Sequence, residues 1–368
     1  MVVNKKRMRF IGGTKHILAF VLISGLVFVI IEGISSTAIA VFQMLHDEPL
    51  SAPSHYDKSL GWISIPNTHI PNYYGPGKYV RTNARGFRND AETSVRVATG
   101  KLRLICSGDS FTYGQGVANN RTWCHQLSEL NDQFQTVNLG QPGYGVDQIY
   151  LRYLRDGITL EHSIHIFAFV DGDLNRMGRL EQHRYGKPAL VLDDDVLVVE
   201  NVPVPRFRWW VSRAVERADF RSIGLVQGVL ARLSPRKAVS ADVTERIGPV
   251  ASRVFQTVQQ LNAEKNIVSI FMFLPTEKDI GTDTAWRRWV VATMNALGSP
   301  FVDLTPALRS LPAPRIATFF IPESMPAAGH YTEAGNEWVA EVLYDYLLDI
   351  PRIQTLLDAT NAPQIEND

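Results

Sequence analysis

Residues 102–114 read Leu-Arg-Leu-Ile-Cys-Ser-Gly-Asp-Ser-Phe-Thr-Tyr-Gly. An apolar run of β-type residues ends there in Gly108-Asp109-Ser110, and a helical stretch follows after a short loop. A serine at the carboxyl end of the first strand of an open α/β sheet stands where such sheets bind ligands. Gly108 permits a sharp backbone turn, and loop N–H groups can face an incoming carbonyl oxygen. The plainer reading is a strand-to-loop turn with Asp109 and Ser110 as solvated punctuation. The tripeptide alone does not separate the two.

Working outward, short β-type runs at 102–107, 136–139, 164–170, 267–273 and 300–303 alternate with helical patterns at 121–131, 147–157, 243–264, 284–297 and 333–348. That rhythm predicts an α/β domain over 101–350, a parallel sheet covered by helices. A segment at about 176–242 interrupts it. Ala189 to Glu200 alternates around Asp193-Asp194-Asp195 and predicts a hairpin, and 207–233 is helical in period. Within it, Phe207, Arg208, Trp209 and Trp210 are expected as a core-facing stripe, the alternatives being a groove, sugar stacking or a membrane surface. Residues 46–100, with five prolines, predict an irregular extension packed on the main domain, and 351–368 a C-terminal tail.

Two further stretches carry chemistry. In Val137-Asn138-Leu139-Gly140 a second strand ends in a glycine, which a parallel sheet sets beside Ser110. In Gly329-His330-Tyr331-Thr332 a histidine precedes the last helix of the domain, from where it can reach the earlier strand ends. Each has a bland reading, a turn glycine and a helix-entry histidine, but the three in this order are hard to obtain by accident.

On these residues the chain resembles the SGNH hydrolases, or GDSL-type esterases, over about 101–178 and 266–348. Leu60-Gly61-Trp62, Asn83-Ala84-Arg85-Gly86-Phe87-Arg88 and Gly108 to Gly114 match a bacterial exported branch. The resemblance implies a three-layer, flavodoxin-like α/β/α fold, with Ser110 as nucleophile, His330 as base, and the N–H groups of Ser110 and Gly140 as oxyanion donors. It also implies acyl removal or transfer, commonly of acetyl. Separately, the sequence holds no Cys/His metal spacing or phosphate-cradling Gly-rich loop, so no metal or cofactor is expected. The chain departs from the family twice. Gly172 stands where the family has an oxyanion-hole Asn, leaving its N–H or the Asn175 side chain to substitute. Ala327 and Ala328 stand where an Asp normally orients the His. Glu323 is the first candidate for the missing acid, ahead of Asp303, and a Ser–His dyad with a backbone carbonyl is the alternative.

The whole chain has 368 residues, 45% hydrophobic and 20% charged, with 37 basic and 37 acidic side chains. That excludes a disordered chain, and a nucleic-acid binder usually shows a basic excess. Lys5, Lys6, Arg7, Arg9 and Lys15 precede the first acid, Glu32, so 32 basic residues face all 37 acids in the remainder. An apolar run from residue 17 to 31 follows this basic tail. Residues ~17–38 read as a membrane anchor with its basic end in the cytoplasm, within a segment 1–45. The other reading is a signal peptide cleaved after Ala38-Ile39-Ala40. The long basic region favours the anchor, and both readings export the body. Cys106 and Cys124 are expected as separate buried thiols, although an exported compartment permits a bond.

The expected function is therefore a serine esterase or deacetylase on an acyl ester, its substrate a small-molecule or cell-envelope carbohydrate ester. The alternatives are an O-acyltransferase with the same chemistry and a non-catalytic carbohydrate-binding module.

Overall fold

In a computed structural model, described here for residues 5–45, 52–182, 185–205 and 241–361, alternate side chains of the first sheet strand face opposite layers. Leu102, Leu104 and Cys106 join one apolar core, and Ile105 joins another. The strand, β1 (Leu102–Ser107), is an inner strand of a five-stranded parallel sheet with β2 (Phe134–Asn138), β3 (Ile164–Phe169), β4 (Val268–Phe273) and β5 (Phe301–Asp303). The order is β2-β1-β3-β4-β5. The chain reverses direction across the sheet between β1 and β3, the topological switch point where ligands bind.

Helices cover both faces. On one face α3 (Trp123–Leu130), α8 (Glu333–Leu348) and α9 (Pro351–Asn361) bury Trp123, Leu127, Trp338, Leu343 and Ile353 against Ile164, Ile166 and Ile270. On the other, α4 (Val146–Arg152), α6 (Ala241–Glu264) and α7 (Ala285–Leu297) bury Ile149, Val254, Phe255 and Val290 against Phe167, Phe169, Phe271 and Phe273. The short α2 (Ser110–Tyr113) and α5 (Asp171–Met177) start at the carboxyl ends of β1 and β3. The sheet is thus the middle of three layers.

The expected pair of free thiols is corrected: Cys106 and Cys124 form a disulfide. Their strand and helix lie side by side in one core, with the Cα atoms 6.2 Å apart, within the range a disulfide bridges.

The hairpin between β3 and β4 pairs Ala189–Asp193 with Val196–Glu200. Asp194 and Asp195 take φ of 43° and 67°, the backbone a two-residue turn of this hand requires. The stripe at 207–210 and the helical pattern to 233 lie outside the described residues.

The extension carries two hairpins, Ser54–Asp57 with Gly61–Ser64 and His69–Ile70 with Val80–Arg81. Trp62 is wholly buried and donates its Nε1–H to Pro142 O at 2.9 Å, while Tyr144 Oη–H donates to Trp62 O at 2.6 Å. Arg88, also buried, donates to the carbonyls of Tyr113, Gly114 and Val117 and lies 4.4 Å from the Tyr113 ring centre. Carbonyls at the end of α2 and in the turn after it are satisfied this way.

The N-terminal helix α1 (Lys5–Leu45) belongs to a separate unit. Its segment Lys15–Ala38 is long and apolar enough to cross a membrane, a property a signal sequence shares.

Candidate active site

Ser110 begins α2 immediately after the turn that ends β1. Glycine is required at 108 because a Cβ there would collide with the Thr112 side chain. Asp109 caps α2: its Oδ1 accepts the Phe111 N–H at 2.9 Å. The cap fixes the first turn and holds Ser110 at 5% exposure, facing a cleft of about 470 Å³.

His330 comes from the far end of the chain. The loop before it closes on itself, with Ile321 N–H donating to His330 O and Gly329 N–H to Ile321 O, both at 2.8 Å. Thr332 then caps α8, its Oγ1 accepting the Gly335 N–H. The structure brings the predicted pair together: Ser110 Oγ lies 2.8 Å from His330 Nε2. The Phe111 ring stacks obliquely on the imidazole at 4.8 Å.

His330 Nδ1 lies 3.0 Å from Ala327 O. A carbonyl only accepts, so Nδ1 carries the proton and Nε2 offers its lone pair to the Ser110 hydroxyl. Burial lowers the imidazole pKa, with Asp109 pulling the other way. A neutral, correctly oriented base results.

Glu323, the first candidate for the orienting acid, lines the same cleft but is exposed, and the position at Nδ1 is filled by the Ala327 carbonyl. Asp303 is engaged elsewhere. It accepts from Arg287 Nε at 2.9 Å and from the Thr305 N–H at 2.9 Å, starting the short helix Thr305–Arg309.

The Gly140 N–H, expected as an oxyanion donor, has a partner on its own strand end. That N–H donates to Asn138 Oδ1 at 2.9 Å, because the Asn side chain folds back over its own strand end. Gly140 is outside the described lining of the cleft and packs against α2, where a Cβ would overlap the backbone of Thr112 and Tyr113. Gly172 does line the cleft, in the first turn of α5, where N–H groups have no acceptor within the helix. Asn175 lines it too, its Oδ1 accepting Trp286 Nε1–H at 3.0 Å.

Three charged residues beside Ser110 escaped the sequence reading. Asp109 Oδ2 lies 3.2 Å from Ser110 Oγ and 3.3 Å from Arg176 Nη1. Arg176 also donates to Asp173 and, at 2.8 Å, to Tyr144 O. Asp173 is wholly buried, and burial together with Asp109's charge pushes its carboxyl well above the usual range. The cap position of Asp109, two residues before an apolar helical residue, was the available signal for an ordered carboxylate there. Among the described residues no group of three or more His, Cys, Asp or Glu is placed to hold a metal.

No protein-family model matches the chain, and no curated protein matches it. Solved structures with some similarity include a lipolytic protein of the G-D-S-L family from Desulfitobacterium hafniense DCB-2, with 13% identity, a TM-score of 0.40, and 67% of this chain and 99% of that one covered. A lipase/acylhydrolase from Enterococcus faecalis gives 10%, 0.38, 67% and 95%, and an acetyl xylan esterase gives 14%, 0.37, 66% and 98%. At such scores these likenesses carry no argument about the chain, whose chemistry rests on its own residues.

The remainder of the cleft wall mixes polar and apolar groups. Asp171, Thr276, Lys278 and Thr284 face it, with apolar surface from Phe111, Val170 and Ala328. Asp171 is held by Thr284, whose hydroxyl donates to its Oδ1 at 2.7 Å, and burial raises its pKa.

Proposed function

We propose that the body of the chain is a serine esterase of the SGNH type acting on short acyl esters of polar alcohols, with acetylated carbohydrate as the best fit. The observation that carries the reading is the 2.8 Å contact between Ser110 Oγ and His330 Nε2, made across 220 positions of sequence in an open cleft. As Oγ bonds to the ester carbon, its proton passes to Nε2 and the carbonyl π pair moves to oxygen. The N–H groups of Ser110 and Gly172 are the donors proposed for that oxyanion. Collapse breaks the bond to the alcohol oxygen, which takes the proton from Nε2, and water repeats the sequence to release the acid. The side chains of Asp171, Thr276, Lys278 and Thr284 on the cleft wall support an alcohol rich in hydroxyl groups. Phe111, Val170 and Ala328 offer the acyl chain apolar surface.

Labelling with a serine-reactive fluorophosphonate tests this. Wild type should label and Ser110→Ala should not; equal labelling of both, or of neither, would sink the esterase reading. Product analysis with and without a sugar acceptor then separates hydrolysis from transfer.

We further infer that α1 anchors the protein and that the body lies outside the cytoplasm. The basic tail before the apolar segment supports that orientation, and a disulfide in the body supports an oxidising compartment. A reporter fused after residue 368 should work only if it is of the kind active outside the cytoplasm. Activity of a cytoplasm-only reporter there would reverse the topology.

A further inference from the structure

A carboxylate behind a catalytic histidine does two things: it fixes the tautomer through Nδ1, and it stabilises the imidazolium that forms during acyl transfer. Here the first task falls to the Ala327 carbonyl, which carries no charge. The second is left open on that side of the ring. On the other side, Asp109 Oδ2 lies 3.2 Å from Ser110 Oγ, and Oγ lies 2.8 Å from Nε2. The carboxylate is wholly buried, so its field is weakly screened.

We propose that Asp109 is a third catalytic residue, supplying from the serine side the negative charge that a carboxylate at Nδ1 would otherwise supply. This rests on the esterase reading of the same site. In the resting state the single hydroxyl proton of Ser110 points to the nearer acceptor, Nε2. When it transfers, the imidazolium holds two N–H groups, one on Ala327 O and one to deliver to the leaving alcohol, with Asp109 as its counter-charge. Arg176 and the Phe111 N–H hold the carboxylate in place. Arg176 is a positioning residue in this scheme. Its own charge opposes the imidazolium, and Asp109's pull on His330 is the larger of the two. Burial and Asp109's charge raise the Asp173 pKa, which disfavours a second negative charge next to the developing oxyanion.

The test uses the full-length protein in detergent and the variant Asp109→Asn, which removes the charge and retains a helix-capping side chain. Two quantities are read. The first is turnover of a p-nitrophenyl acetate substrate. The second is the pH midpoint for carbethoxylation of His330, followed by peptide mass spectrometry, which needs no turnover. The charged groups facing the ring are Asp109 and Arg176, with Asp171, Glu277, Lys278, Asp279 and Glu323 along the cleft, and all but Asp109 are unchanged in the variant. We expect kcat to fall by about 10–10³-fold with KM within about threefold, and the midpoint to fall by about one pH unit or more. An unmoved midpoint, or kcat within about threefold of wild type, would overturn the proposal. A wild type that turns over no ester while its midpoint still falls in Asp109→Asn would sink the esterase reading alone, leaving the charge relation in place. Should the Asn variant melt early, Asp109→Ser, which also caps, is read the same way.

Discussion

Two Ser–His pairs stand at the end of the same strand, three residues apart, and do opposite things. Ser110 and His330 face the cleft. Ser107 and His165 are sealed under the sheet, with His165 Nε2 at 2.9 Å from Ser107 Oγ, nearly the same contact. The difference lies in the partner at the other ring nitrogen. His165 Nδ1 accepts from Asn262 Nδ2–H at 3.1 Å, so Nε2 carries the proton and Ser107 is the acceptor. That tautomer cannot take a proton from serine. At His330 the Ala327 carbonyl imposes the reverse. Electrostatics differ too: burial drives the His165 pKa well down with no carboxylate opposing it, whereas His330 has Asp109. A Ser–His hydrogen bond is therefore no evidence of a nucleophile until the second nitrogen is accounted for.

The largest expected effect separates the two serines. Ser110→Ala should lose on the order of 10⁴-fold or more in turnover, His330→Ala as much, and the double variant little more. Ser107→Ala should remain within a few-fold. Comparable losses at both serines would collapse the distinction.

The sealed pair should show itself in stability instead. Asn262 bonds His165, Ser269 and Tyr153, and the Tyr153 hydroxyl continues to His162 at 2.9 Å. Asn262→Ala leaves several buried polar groups unpaired, so urea unfolding should show a loss of about 2–4 kcal/mol, with kcat of the folded fraction unchanged. A kcat change without a stability change would mean that the network reaches the cleft.

A smaller effect is expected with acid. Burial holds His162 at about 4, against 6.5 for an ordinary imidazole. Between those values the unfolded chain binds a proton that the folded one refuses. The contribution is fully present above about pH 6.5 and is lost progressively as pH falls towards 4. The urea midpoint should decline over that window, and His162→Gln should flatten the decline. A midpoint that rises on acidification would contradict the assignment.

Smallest of all should be the two carboxylates once set against His330. Glu323→Gln and Asp303→Asn should each stay within a few-fold of wild-type turnover, since neither fills the position at Nδ1. A drop of about 10³-fold in either would restore a triad acid and displace the carbonyl.

Much of this is legible in the amino-acid sequence, because it is written in side chains and periodicity. The strands, the serine at a strand end and the histidine at a helix entry are of this kind. What escapes is written elsewhere. The N–H of Gly140 is lost to a side chain two residues earlier, a local competition that spacing does not reveal. Asp109 reads as turn punctuation because its neighbours Arg176 and Asp173 arrive on α5, more than 60 positions away. The cysteines read as separate because pairing depends on the distance between a strand and a helix, which composition does not encode.

The grip on His330 belongs to the path of the chain and not to any side chain. Every amino acid brings a carbonyl, so the chemical identity of residue 327 is free to drift while its geometry is not. Ala327 sits at φ 66°, a conformation that Gly or Asn adopts readily and a β-branched residue resists. Substitutions there should sort by backbone tolerance and not by polarity or charge. A family of such sequences would show no invariant acid at the histidine's back. It would show a loop that selection holds by shape.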